Sequence, residues 1–226
     1  MSNRRPAKQV KLFEDINKCH VHDRARTLKN AINWIGVRGC LSTARTHIMI
    51  GMQAENNSVD ASQEELRSNF LSAMRLVPSP VAIIAVAHNG QRRGLAATAW
   101  TSLSADPPTI LACVNQTASA HEILRKAGAF SLNLLNHADA EIVAIFSAQR
   151  ELDGNSRFQS DRWRIGSSGL PILSGSVMSL ECDIVEMRKH HTHSVMIGAV
   201  RHISINPDTS SLLYIDGGFA RVKIGF

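Results

Sequence analysis

The sequence predicts a mainly β fold: a closed antiparallel barrel with helices outside it. Three observations carry that expectation. At least six short apolar segments are separated by turn signals, a spacing that suits antiparallel β architecture. Asn89-Gly90 stands between two such segments, and both residues tolerate the positive φ of a tight hairpin turn. No Gly-x-Gly-x-x-Gly element follows any strand, which argues against a Rossmann dinucleotide site and its parallel sheet.

The elements follow in order. Ser62 and Glu65 have capping-box spacing, and Leu66, Phe70 and Met74 repeat every four residues, so a helix is expected to about Leu76. Pro78 and Pro80 stop it. Val81–Ala87 reads as a buried strand, and Gly94–Ser104 as its return, with Arg92 and Arg93 solvated near the turn. Thr109–Val114 is a further strand. Ala120–Ala127 has helical pattern, with Ser119 and Glu122 as a second capping box and Gly128 as its stop. Phe130–Leu135 is a strand, and Ala138–Phe146 a helix turning Ile142, Ile145 and Phe146 inward. Residues 147–161 form a polar loop, followed by Trp163 and turns at Gly166–Pro171. From Ser176 to Met187, Leu180, Cys182 and Ile184 alternate with polar residues, a period of two that buries one strand face. Ser194–Ile205, Leu212–Ile215 and Phe219–Val222 are the closing strands, with turns at Pro207-Asp208 and Gly217-Gly218.

At 226 residues and 44% apolar, the chain can bury a core as one domain plus an appendage. No apolar run approaches the ~20 residues of a membrane span. Cys19, Cys40, Cys113 and Cys182 lack metal or redox spacing, and Cys113 and Cys182 fit apolar strands as small hydrophobes. That usage suits a reducing cytoplasm. The net charge of +6 is unevenly placed. Residues 1–51 hold ten Lys or Arg against three Asp or Glu; the remainder holds fifteen against sixteen. The folded body therefore offers no electrostatic case for nucleic acid.

Residues 1–60 read as a basic, disordered leader with transit-peptide composition, and residues 61–226 as the folded domain. Met49 and Met52 precede a polar run, so the native start is expected near one of them. Cys19, His20, His22, Cys40 and His47 fit no zinc spacing.

Two stretches carry site chemistry. Gly94–Pro108 combines small side chains with the hydroxyls of Thr98, Thr101, Ser102 and Ser104, so a flat polar ligand can lie against it; the same residues also suit a strand leaving a hairpin. At the next junction Asn115, Gln116, Thr117 and Ser119 place donors around a helix start that suits a phosphate, or simply cap a surface helix. The turn Arg188–His193 holds three histidines. His191 and His193 share parity, but no carboxylate or cysteine supports a metal there.

Thr98-Ala-Trp-Thr-Ser-Leu-Ser-Ala-Asp-Pro-Pro108 followed by Thr109–Asn115 resembles the signature of the flavin reductase family, the short-chain, FMN-binding split-barrel reductases. The likeness continues in order through Ser119–Leu124, Phe130–Leu135, Arg157-Phe158, Leu170-Pro171, Leu180–Cys182 and His193–Gly198, over roughly residues 64–222. The resemblance implies an FMN-binding split β-barrel, Greek-key-like, and an NAD(P)H:flavin oxidoreductase. FMN or FAD would lie against Thr98, Ala99, Trp100, Thr101, Ser102, Leu103 and Ser104, with its phosphate at Asn115, Gln116, Thr117, Ser119 and Ala120. No Arg or Lys stands at 115–119, so neutralisation would come from the helix dipole, Arg125 or a distant Arg. Arg157, Phe158 and Tyr214 match positions near the cofactor or dinucleotide, as does Phe219, although the aromatics equally suit the core. His193 matches the histidine of a Gly-Asp-His element near the nicotinamide; this chain has His191-Thr192 in place of Gly-Asp. The resemblance further implies NADH or NADPH as co-substrate, a homodimer, and reduced flavin passed to a partner monooxygenase. A non-catalytic flavin-binding protein and another split-barrel oxidase, such as one using pyridoxamine phosphate, are the alternatives; the latter should show extra basic phosphate ligands. A nucleic-acid binder would rest on the leader alone.

Overall fold

A computed structural model describes residues 62–147, 154–159 and 161–221. The leader, Met49 and Met52 lie outside the described residues. The chain divides into two units, residues 1–77 and 78–226. In the first, α1 spans residues 62–75, with Leu66, Phe70 and Met74 along one side, all exposed.

The second unit holds twelve strands among the described residues: β1 (Ser79–Pro80), β2 (Ala82–His88), β3 (Gln91–Ala97), β4 (Trp100–Ala105), β5 (Pro108–Asn115), β6 (Ala129–Leu134), β7 (Trp163–Ile165), β8 (Pro171–Leu173), β9 (Met178–His190), β10 (His193–Ile205), β11 (Leu212–Ile215) and β12 (Gly218–Arg221). Helices α2 (His121–Ala127) and α3 (Ala140–Phe146) and a 3-10 turn (Gly154–Phe158) complete it. Asn89 and Gly90 both take positive φ, as their hairpin requires.

The main sheet runs β3-β2-β6-β9-β10-β5-β4, with every neighbouring pair antiparallel. Its two edge strands, β3 and β4, are consecutive in sequence and separated only by Thr98 and Ala99. Three residue steps reach at most about 11 Å. The edges must meet at that corner, so the sheet curls into a barrel. The single strand expected over Gly94–Ser104 is therefore two strands on opposite edges. The Ala99 carbonyl accepts the Cys113 N–H at 2.9 Å, and the Trp100 indole donates to Pro80 O at 3.2 Å, fixing the corner in place.

Alternate residues of β2 face two cores. Ala82, Ile84 and Val86 point into the barrel with Ala112, Val114, Leu124, Phe130, Leu132 and Met196. Val81, Ile83 and Ala85 point outward, beneath Ile142, Val143, Phe146, Phe158 and Leu173. Within the wall, the buried Asn133 carboxamide joins four strands. Its oxygen accepts the Leu173 N–H and the Ser179 hydroxyl, and its nitrogen donates to Ile83 O and Ser131 Oγ. Gly198 passes so close to the Phe130 ring that a Cβ there would lie 2.7 Å from two ring carbons.

Candidate active site

The corner between β3 and β4 leads to an unusual edge strand. Thr101 through Ala105 are exposed on both faces, Leu103 by 49%. Register assigns the faces, because antiparallel partners point the same way. Thr101 pairs with Leu111 and shares an outer face with Cys113, Asn115 and His193. Ser102 pairs with Ile110, which faces the barrel core. Ser102 lies five residues along β5 from Asn115, about 17 Å at strand rise. Thr98 and Ala99 lie closer to the 115–120 junction, which carries Ser119. The group follows one edge of the barrel, a dimension that suits a ring with a tail. Ser104 is engaged locally, since its hydroxyl donates to Asp106 O and accepts the Asp106 N–H in the turn before β5.

The 115–120 junction is a structured turn rather than an open helix start. The expected Ser119–Glu122 box does not form. Helix α2 begins at His121, Ala120 is its N-cap, and no side chain caps it. Glu122 instead pairs with Arg125 at 2.7 Å and Lys126 at 3.5 Å, and those cations hold its carboxyl down at about 2. Arg125 is thereby engaged by Glu122. The amides of Gln116, Thr117, Ala118 and His121 bond to Thr192 O, Asn115 Oδ1, Asn115 O and Ala118 O. Among the described residues, the Ser119 and Ala120 amides and the Ser119 hydroxyl keep donor capacity. This hydroxyl and amide set, free of carboxylates, fits the phosphate and polar ring edge of a flavin nucleotide.

His193 is brought to the same corner. It pairs in register with Asn115 on one side and His190 on the other, and its Nδ1 lies 2.9 Å from Thr192 Oγ1. Ser194, one step on, faces inward and meets His121, Nε2 to Oγ 2.9 Å. Burial pushes the His121 imidazole below its ordinary value, with Glu122 opposing and Lys189 and Arg125 reinforcing. Neither the His121–Ser194 pair nor the Gln116 clamp on the 191–193 turn is visible in sequence, because the partners lie more than 70 residues away.

Arg157 and Phe158 do not join this group, whereas Tyr214 follows Leu213, the register partner of Pro80, whose carbonyl takes the Trp100 indole. The 154–158 turn sits at the Asn89-Gly90 end of the β2–β3 hairpin, where Asn155 bonds the Arg92 N–H and Gly90 O. Arg92 lies over the Phe158 ring, six residues or about 20 Å of strand from Thr98. Phe158, 2% exposed, packs edge-on against Phe146 and Trp163, so the expected ligand contact gives way to a core role within the chain. Arg157 belongs to that same turn. Tyr214 pairs with Ser79, meets Phe219 ring to ring, and borders the outer core.

Known proteins are similar to this chain in sequence and in fold. The 4-hydroxyphenylacetate 3-monooxygenase reductase component of Salmonella dublin is 29% identical over 161 residues, spanning 71% of this chain and 95% of that protein. FMN reductase (NADH) of Methylorubrum populi is 33% identical over 147 residues, 65% of this chain and 72% of its own. Among solved structures, the NADH:FAD oxidoreductase of Streptomyces globisporus C-1027 superposes with a TM-score of 0.64 at 26% identity, covering 70% of this chain and 94% of that one. The same protein in complex with NAD and FAD fragments matches at 25% identity with the same score. The family profile described as "Flavin reductase like domain" spans residues 74–223, and with that extent the chain belongs to the flavin reductase-like domain family.

Proposed function

We propose that this protein is an NAD(P)H-dependent flavin reductase that supplies reduced flavin to a partner monooxygenase. The observation that carries the reading is the run of Thr98–Ser102, the 115–120 turn and His193 along one edge of the barrel, in a chain of this family. The relatives named as a monooxygenase reductase component and as FMN reductase (NADH) favour NADH as donor and an oxygenase as recipient.

Bound flavin supplies the hydride-accepting ring, and the nicotinamide supplies the hydride; the chain's contribution is positioning. Thr98 and Thr101 hold the ring's polar edge with hydroxyl and main-chain groups, and Ser102, whose side chain faces the other way, with main-chain groups. Ser119 and the Ala120 amide receive the phosphate. His193 stands beside Asn115, where its imidazole can orient a carboxamide or hold a proton.

The outer face of β5 and β10 carries Leu111, Cys113, Val195 and Ile197, which belong to neither core. That apolar face supports a homodimer formed over the site. Free Cys113 and Cys182 agree with a role in the cytoplasm. No helix among the described residues is long and apolar enough to cross a membrane.

The test is anaerobic mixing of protein and FMN, FAD or riboflavin with NADH, then NADPH, followed by flavin bleaching. Bleaching faster than with free flavin is expected. Equal rates with and without protein overturn the proposal.

A further inference from the structure

The β9–β10 hairpin closes through His191 and Thr192 alone, since His190 and His193 are already register partners. His191 sits at φ 49°, a left-handed conformation that residues with a side chain adopt only against steric resistance. A tip of this kind needs holding from outside. Gln116 holds it from the far end of β5. Its carboxamide nitrogen donates to His191 O and His193 O, both at 2.8 Å, and its backbone N–H donates to Thr192 O at 3.0 Å. One residue thus takes all three consecutive carbonyls of the tip. Both side-chain donors are spent on the hairpin, so they are not available to a ligand. On either side of the clamp stand the junction that keeps open donors at Ser119 and the strand residue His193.

We infer that Gln116 is a positioning residue for His193: its three donated hydrogen bonds fix the 191–193 tip against the phosphate-side turn and so set where the imidazole stands. This rests on the reading of His193 as the group at the nicotinamide. Gln116→Glu keeps the shape but replaces a donor by an acceptor facing two carbonyls, so it repels the tip instead of holding it.

The experiment compares the full-length wild type, Gln116→Glu, His193→Ala and the double variant in steady-state NADH:FMN reduction, with thermal melting alongside. Where Gln116→Glu does not fold, Gln116→Met tests the same loss of donors. Gln116→Glu is expected to lower kcat about tenfold, and the double variant to match His193→Ala within about twofold, since residues acting through one another are not additive. The KM for FMN and the melting temperature should stay near wild type, a split that a general loss of packing would not give. Multiplying losses in the double variant, or a Gln116 effect confined to melting and to the KM for FMN, overturns the inference alone. A His193→Ala variant with unchanged kinetics overturns the His193 reading and the inference with it.

Discussion

The two halves of the barrel wall are finished differently. Around β2 the wall is covered on both faces, by the barrel core within and by α3, the 3-10 turn and the β7–β8 hairpin outside. Around β4, β5 and β10 the inner face is covered, and among the described residues of this unit neither core takes in the outer-face residues Leu111, Cys113, Val195 and Ile197, which stand beside Thr101 and His193. The residues with ligand chemistry all belong to the half left bare. The covered half is packed on both faces, and the other half carries the surface on which the proposed flavin, nicotinamide and second subunit would meet.

The sharpest way to break this contrast is a paired truncation. Ile83→Ala on the covered half is expected to lose about 2–5 kcal/mol in urea unfolding, whereas Leu111→Ala in dilute protein loses less than about 1 kcal/mol while weakening self-association by sedimentation. Equal losses under dilute conditions would mean that the second half is covered too. Gly198→Ala probes the shared inner core. Its new methyl meets Phe130 ring carbons at 2.7 Å and Cys182 Cβ at 3.0 Å, and overpacking of this kind costs about 1–3 kcal/mol. On the bare half, Ser119→Ala should weaken FMN binding by about 0.5–1.5 kcal/mol in titration calorimetry. Phe158→Leu on the covered half should lower stability and leave FMN affinity unchanged; the reverse pattern would exchange the roles assigned to the two halves.

The smallest expected effect concerns pH. His121 is depressed by burial, so the unfolded chain binds its proton first on acidification. Both states are neutral there above about pH 6.5, and stability falls as pH drops below that value toward the depressed folded one. His121→Gln should therefore flatten the acid limb of a stability profile; an unchanged limb would show that other groups set it.

Local chemistry was legible in the sequence where neighbours in the chain decide the outcome. Asn89-Gly90 and Gly128 needed no tertiary information, since positive φ favours those residue types. The family resemblance supplied the fold. What sequence could not show was choice among partners. Glu122 suits a capping box and an i,i+3 ion pair equally, and the ion pair won because Arg125 and Lys126 offered two charges to one carboxylate. Thr98 and Ala99 look like the middle of a strand because residues on both sides are extended; only the sheet order shows that the partner changes there. Phe158 stands in a polar loop and suits a ligand contact or a core anchor equally until Phe146 and Trp163 are placed beside it.

The two-residue link between β3 and β4 bears on how the chain assembles. Hairpins β2–β3, β4–β5 and β9–β10 are each local, and units of that kind form in about 1–10 μs. The link tethers the first two from the outset, so they diffuse as one piece. The β10–β5 ladder joins positions some eighty residues apart, as Asn115 with His193 illustrates, and its loop-closure entropy is the largest in the sheet. That ladder should zip last, placing this domain among slow, topology-limited folders. The corner that carries Asn115 and His193 would then be the final part of the molecule to acquire native geometry.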